Sequence, residues 1–330
     1  MIEKAIINSN LHIEEEDELI NMPTYEIIET DYSLTVVVNG HLHKIEKDYE
    51  KAVPFFENAI DMDCTEWKYE RGRFTITFSK LEMEADRYYK SNNPEEYLVL
   101  GIDGQRGEVR WEFNKFPHML LIGAPGSGKS VMFKNVITQM GKDWELFFCD
   151  PKQVEFGELA YQGYRVAFDN EAIKNSIDQC VELMEERYTQ MRENRCVKYT
   201  QLPEDIRPKP AFLIVDEFGA FFSLLPRKEA DEYGTKLRIL VQKGRAAGVQ
   251  VCLLTQKASS KVMDTDTRDT IACSVAMGMN RPDSYDMAFG AEGRQLKPLT
   301  IGEGYYNIGT GIRKMKTYNL SDEEFIEYTS

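Results

Sequence analysis

No run of apolar residues in this chain of 330 approaches the roughly 20 that a bilayer-crossing helix requires, so no membrane span of its own is expected. Met1-Ile2-Glu3-Lys4 has neither the basic start nor the apolar core of a secretory signal. Histidine is scarce, at 4 residues, and no Cys/His pair has metal-site spacing, so zinc is not expected. The 6 cysteines (Cys64, Cys149, Cys180, Cys196, Cys252 and Cys273) include no C-x-x-C pair. Cys149 and Cys252 fall inside apolar runs, the pattern of buried thiols in a reducing compartment, and a cytoplasmic location follows as the expectation. Basic residues are outnumbered: 40 Lys and Arg against 55 Asp and Glu give a formal charge of −15. That excludes a uniformly basic nucleic-acid coat but not a local basic strip lining a channel. Much of the acid sits in solvated runs such as Glu14-Glu15-Glu16-Asp17-Glu18 and Asp322-Glu323-Glu324. There is no internal repeat and no low-complexity segment.

What the chain does have is Gly123-Ala124-Pro125-Gly126-Ser127-Gly128-Lys129-Ser130, entered from the apolar run Met119-Leu120-Leu121-Ile122. It satisfies G-x-x-x-x-G-K-[ST], the Walker A pattern, where a strand ends and a helix begins. Glycines allow backbone N–H groups to turn inward around a triphosphate, and the helix N-terminus adds its positive dipole end, so residues 123–131, including Val131, are candidates for binding ATP. Lys129 reaches the β- and γ-phosphates, and the Ser130 hydroxyl is a candidate Mg²⁺ ligand. Val131, Met132, Val136, Ile137 and Met140 then form a helical apolar face, with Gly141 expected to close it.

Three regions follow from the rest of the pattern. Residues 1–20 are polar and acidic, and read as a flexible N-terminus. Residues 21–95 read as a small α+β domain: strands at Ile27-Ile28, Ser33–Val38, Trp67–Tyr69 and Arg73–Phe78, and a helix from Tyr49 to Ile60 that contains Pro54. Asn39-Gly40 before His41–Ile45 looks like a hairpin turn, and His41 and His43 decorate a strand face. Asp86–Glu96 is the linker candidate. Residues 96–330 read as the nucleotide domain. There a hairpin (Tyr97–Gly101, Val109–Phe113) leads into strand-like runs at Leu146–Cys149, Phe212–Val215 and Val249–Leu254, and Ile173, Ile177, Val181, Met184, Tyr188 and Met191 mark one face of a long helix. Short apolar strands alternating with helices predict an α/β fold with a mainly parallel sheet covered on both faces.

The strand Phe212–Val215 ends in Asp216-Glu217. Acids at the carboxyl end of a parallel strand face the ligand crevice. Asp216 is the candidate to hold Mg²⁺, and Glu217 the candidate base that polarises the attacking water, a group that favours hydrolysis over kinase chemistry. Thr255-Gln256 closes a third strand, where Gln256 is a candidate γ-phosphate sensor.

With these residues in hand the chain resembles the FtsK/SpoIIIE family of DNA-translocating ATPases from about Leu98 to Tyr306. The resemblance runs through Phe116–Leu121, Asp150-Pro151-Lys152-Gln153-Val154-Glu155-Phe156, Met184-Glu185-Glu186-Arg187-Tyr188, Ile214–Phe218, and Lys243–Gln250 running on to Leu254–Lys257. The small N-terminal module is similar to the one that precedes the motor in that family. The resemblance implies RecA-like domains in a hexameric ring, ATP at subunit interfaces, and double-stranded DNA threaded through the centre. It also implies an arginine reaching each site from the neighbouring subunit. The family's Asp-Ser-Arg appears here as Asp283-Ser284-Tyr285, which leaves Arg281, and behind it Arg268, as substitutes. Lys243, Arg245, Arg227 and Lys228 are candidate DNA contacts if they lie in channel-facing loops. Without an anchor or a winged-helix module after the core, the expected setting is DNA transfer by a plasmid, transposon or phage, with a relaxase or membrane transfer machinery as partner. Two other functions share the motifs: a type VII-like protein-secretion ATPase, and a slow ATP-binding regulatory or assembly protein.

Overall fold

A computed structural model of the chain describes residues 1–15, 18–31, 33–40, 44–62, 64–80, 90–256 and 265–330. It divides into two compact units, one of residues 1–84 with 102–107, the other of 85–101 with 108–330. In the smaller unit, α1 (Ile2–Asn8), β1 (Ile13–Glu15) and β2 (Glu18–Asn21) precede β3 (Tyr25–Glu29) and β4 (Ser33–Asn39). Then come α2 (Glu46–Ile60), β5 (Cys64–Glu70) and β6 (Arg73–Ser79). Strands β3 to β6 form an antiparallel sheet in the order β3-β4-β6-β5. Its inward face (Val36, Val38, Phe74, Ile76, Phe78) packs with Tyr49, Ala52 and Phe56 of α2. Residues 2–8, within the stretch expected to be flexible, form α1, and Ile2, Ala5 and Ile6 bury themselves in this same core. Pro54 is carried inside α2. Of the strand expected over His41–Ile45, residues 41–43 lie outside the described residues; Ile45 is the N-cap of α2, its N–H bonded to Asp48 Oδ2 at 3.0 Å. Residues 86–89 of the linker expected over Asp86–Glu96 also lie outside the described residues.

The larger unit is built on a sheet of ten strands. They are β7 (Leu98–Asp103), β8 (Gly107–Trp111), β9 (Met119–Gly123), β10 (Glu145–Cys149), β11 (Arg165–Ala167), β12 (Ala211–Val215), β13 (Val249–Thr255), β14 (Cys273–Met277), β15 (Glu303–Asn307) and β16 (Arg313–Lys316). The order is β11-β10-β12-β13-β9-β14-β15-β16-β7-β8. From β11 to β14 all pairings are parallel, and β15 and β16 extend the sheet antiparallel. The helices are α3 (Lys129–Ile137), α4 (Gly157–Tyr161), α5 (Asn170–Glu193), α6 (Phe218–Leu224), α7 (Arg227–Ala247), α8 (Thr265–Thr270), α9 (Pro282–Phe289) and α10 (Asp322–Thr329). The mixed α/β architecture with a mainly parallel sheet is the one expected.

Alternation along the central strands feeds two cores. Leu120, Ile122, Leu213 and Val215 point to the face covered by α5 and α7, while Met119, Leu121, Phe212 and Ile214 point to the face covered by α3. Helix α3 stops at Ile137, short of the expected end at Gly141; a tighter i→i+3 turn (Gln139 N–H to Val136 O, Met140 N–H to Ile137 O) carries Met140 into the core without helix.

At the opposite edge of the central strands from their carboxyl ends, His118 and Gln250 tie β9 to β13. His118 N–H donates to Gln250 Oε1, and Val251 N–H donates to His118 Nδ1, both at 3.0 Å. Burial holds the imidazole neutral, lowering its pKa to about 4. Because the folded value lies below the unfolded one, the associated stability is complete above about pH 6.5 and is lost as pH falls toward 4. At about 1.4 kcal/mol per unit, unfolding titrations are expected to show up to ~3 kcal/mol of pH dependence across that window. His118→Asn should flatten it; an unchanged slope in the variant would remove His118 as its source.

Candidate active site

Strand β9 ends at Gly123 and α3 begins at Lys129, so residues 124–128 make the turn from strand to helix. Gly126 and Gly128 have φ of +76° and +93°, where a side chain is strained. Gly123 is required for space: a Cβ there would collide with Ser127 Oγ and lie 2.9 Å from Lys129 Cβ. The first helical bond of α3 runs from Met132 N–H to Gly128 O, which leaves the N–H groups of Lys129, Ser130 and Val131 without a partner inside the helix. These donors, with the dipole of α3, form an anion cradle. Ser127 is 4% exposed and its Oγ has no partner among the described residues, an orphaned hydroxyl in the same loop.

The sheet order brings the other candidates to this loop. β13 lies between β9 and β12, pairing with Ile122 through Thr255 and with Val215 through Leu253. Lys129 Nζ donates to Asp216 Oδ1 at 2.6 Å, both side chains buried. Burial raises the Asp216 carboxyl above its ordinary value; Lys129 opposes the shift, and Glu155 and Asp150 reinforce it. The donor set fits Mg²⁺: Ser130, on the first turn of α3, and Asp216 supply a hydroxyl and a carboxylate. No cluster of three His, Cys, Asp or Glu that could hold a metal occurs among the described residues. Such sparse protein ligation suits a hard cation that keeps waters and shares phosphate oxygens. When bound, it would neutralise charge on the phosphates.

Glu217 sits at the N-cap of α6 with φ +45°, a left-handed conformation costly for a residue with a side chain. Its carboxylate is pinned from two directions. Thr255 Oγ1 donates to Oε1 at 3.0 Å and Gln256 N–H to Oε2 at 3.2 Å, while Lys152 Nζ reaches Oε2 at 3.2 Å from the loop after β10. Gln256 therefore meets Glu217 through its backbone. The side chains that hold the acid are Thr255 and Lys152, which were legible only as neighbours in longer motifs.

Several basic candidates lie elsewhere. Arg227 and Lys228 open α7, and Lys243 and Arg245 occupy its last turns; all four are exposed on a helix instead of in loops, because the amphipathic run carries through to Gly248. Arg245 Nε donates to Asn114 O at 3.1 Å. Arg268 lies on α8 and pairs with Asp269. Arg281 is exposed at the N-cap of α9, just after β14. Tyr285, at the position expected to hold arginine, is 1% exposed, and its hydroxyl donates to Gly278 O at 3.0 Å. Gly278 abuts Ser127 so closely that a Cβ would stand 2.8 Å from Ser127 Cβ. The residue at 285 thus buttresses the phosphate loop from behind.

Comparison with known proteins finds likenesses over the stretch that holds the phosphate loop. The FtsK/SpoIIIE family model matches residues 81–212. The FtsK domain-containing protein YdcQ of Bacillus subtilis is 31% identical over 262 residues, covering 77% of this chain and 53% of that protein. A DNA translocase FtsK of Staphylococcus aureus is 27% identical over 272 residues, covering 76% and 34%. The chain thus spans about half the length of the first relative and a third of the second. Among solved structures, the pCW3 conjugation coupling protein TcpA, in a monomer form with ATPγS, superposes with a TM-score of 0.69 at 16% identity, covering 98% of this chain and 95% of that one. ATPases 2 and 3 of EssC from Geobacillus thermodenitrificans give 0.62 at 13% identity, covering 76% and 50%. The type VII secretion ATPase EccC of Thermomonospora curvata gives 0.58 at 16%, covering 76% and 32%. The phosphate loop lies inside the stretch the FtsK/SpoIIIE family model matches, and over the part it shares with these relatives the chain resembles that family of P-loop ATPases.

Proposed function

We propose that this chain is an ATP-hydrolysing, double-stranded DNA translocase that serves the transfer of a mobile element. The observation that carries the reading is the likeness to the conjugation coupling protein, which takes in nearly the whole chain, 98% of it, where the secretion ATPases match 76%. In this reading ATP and Mg²⁺ occupy the phosphate loop. Lys129 neutralises the β- and γ-phosphates, Asp216 and Ser130 hold the cation, and Glu217 takes a proton from the attacking water. The Gln256 side chain senses the γ-phosphate. The chain works as a homo-oligomeric ring, hexameric in the family, in the cytoplasm. Arg281 of one subunit supplies positive charge to the site of the next, and a relaxase or membrane-bound transfer machinery is the partner. Among the described residues no helix is long and apolar enough to cross a membrane.

The test is ATP turnover with and without duplex DNA. Stimulation is expected at low salt, falling steeply as salt rises because neutralised phosphates release counterions. Lys129→Ala should abolish both basal and stimulated turnover. A folded, oligomeric sample with no stimulation at low salt would count against DNA as the substrate. The likeness to EssC and EccC supports a second reading, protein export, which predicts stimulation by a secreted peptide instead. If wild type turns over no faster than Lys129→Ala, both motor readings fail and a slow regulatory ATP binder is left.

A further inference from the structure

Glu217 has a basic side chain against it that none of the roles above employs. A carboxylate offers about four acceptor sites on its two oxygens. Contacts from the described residues fill them. Oε1 accepts from Thr255 Oγ1 at 3.0 Å and from Gln256 N–H at 3.3 Å. Oε2 accepts from that same N–H and from Lys152 Nζ, both at 3.2 Å. A base that takes a proton from water needs a lone pair within hydrogen-bond reach of that water. In this arrangement none is spare.

Of the three residues that hold the acid, Lys152 is the one that leaves without disturbing the fold. Thr255 is 1% exposed at the end of β13, and the Gln256 donor is backbone. The Lys152 side chain is 40% exposed and has no other carboxylate partner among the described residues. Its backbone, by contrast, is fixed. Asp150, buried just after β10, accepts on Oδ2 from the N–H groups of Glu155 and Phe156 at 2.8 and 3.0 Å, and its carbonyl accepts from Gln153 N–H at 3.1 Å. Phe156 is itself buried, edge-on to Phe148. A flexible four-carbon stem thus stands on a turn closed around Asp150, and the ammonium swings between carboxylate and water while the turn stays. Thr255 and Lys152 also differ in kind. The neutral hydroxyl orients the acid and leaves its charge in place; the ammonium occupies an oxygen and matches the charge as well.

We propose that Lys152 is a latch on the general base. While its ammonium holds Oε2, Glu217 is oriented but closed to the attacking water, and turnover proceeds from the fraction of molecules in which Lys152 has swung out to solvent. Lys152 is in this sense a positioning residue that sets the basal rate. The proposal rests on the reading of Glu217 as the base.

The experiment measures steady-state ATP turnover by the full chain as wild type, Lys152→Met, Lys152→Arg and Glu217→Gln, and as the double variant of Lys152→Met with Glu217→Gln. Lys152→Met is expected to raise kcat about fivefold, equivalent to about 1 kcal/mol of barrier for a pair half open to water. The KM for ATP should stay within about twofold, which also reports a folded nucleotide site. Lys152→Ala repeats the test with the stem removed. Lys152→Arg, which returns a cation to Oε2, should bring the rate back to that of wild type. In the Glu217→Gln background Lys152→Met should give no gain, because no charged base is left to release. A slow Glu217→Gln together with Lys152→Met and Lys152→Ala at or below the wild-type rate would overturn the latch while the base stands. So would a gain that persists without Glu217, or one that Lys152→Arg does not reverse. Glu217→Gln as fast as wild type would overturn the base itself, and the latch with it.

Discussion

Glu217→Gln is expected to lower ATP turnover about 10³-fold, within the 10²–10⁴ range typical of losing a positioned general base, while ATP affinity changes by less than about threefold. The substitution keeps the volume and leaves an oxygen that can still accept from Thr255 Oγ1 and Gln256 N–H, so the loop geometry at α6 is preserved. What disappears is the charge that accepts the proton, worth about 4 kcal/mol of barrier at this rate ratio. Thr255→Val provides the companion measurement. It keeps the acid but frees the Oε1 held at 3.0 Å, and should give a smaller loss expressed in kcat with little change in KM. Steady-state kinetics with direct nucleotide binding checks both. Turnover of Glu217→Gln within threefold of wild type would remove Glu217 from the role of base.

Arg187→Met is expected to destabilise the larger unit by about 3–5 kcal/mol, the cost of breaking a buried charged cluster on one side. Arg187 is 2% exposed on α5 and has no carboxylate partner among the described residues. Its Nη1 donates to Ala247 O and Gly248 O, both at 3.0 Å, and Nη2 donates to Lys209 O at 2.7 Å. Two of those carbonyls are at the C-terminal end of α7, where the helix dipole favours a cation, and the third lies just before β12. Burial lowers the guanidinium's pKa, but the group stays charged far above neutrality. Methionine fills the volume but takes the donor from Ala247 O and Lys209 O, while Gly248 O keeps its bond from Ala211 N–H. Arg187→Lys restores charge without the planar fork, so it should recover only part of the loss. Denaturant titrations followed by circular dichroism measure the difference, and a loss below about 1 kcal/mol would show that the carbonyls find other donors.

The parts of the site legible in the sequence are those written in consecutive residues. The loop 123–130 declares itself because a strand, a glycine turn and a helix start must occur in one stretch, and Asp216-Glu217 declares itself as an apolar strand ending in acid. The role of Arg187 was hidden although its motif was visible: nothing local says that a residue on α5 caps α7 sixty positions later. Thr255 and Lys152 were hidden in the same way, since only the strand order β10-β12-β13 brings them to one carboxylate. Tyr285 shows the reverse failure. The sequence marks it as a missing arginine, and burial shows a side chain packed for another purpose. In the smaller unit Asn39-Gly40 has hairpin composition; most of the strand expected over His41–Ile45 lies outside the described residues, and the capping contact of Asp48 on Ile45 starts a helix just past it.

The ion pair between Lys129 and Asp216 would couple the two ligands proposed for this site. While the two are joined at 2.6 Å, the carboxylate's charge is already matched, and a free divalent ion meets a neutral couple instead of an anion. On the proposed reading, phosphate oxygens would offer Lys129 a second counter-charge and so would release Asp216 for a cation. Cation and nucleotide would then each raise the affinity of the other by the same factor.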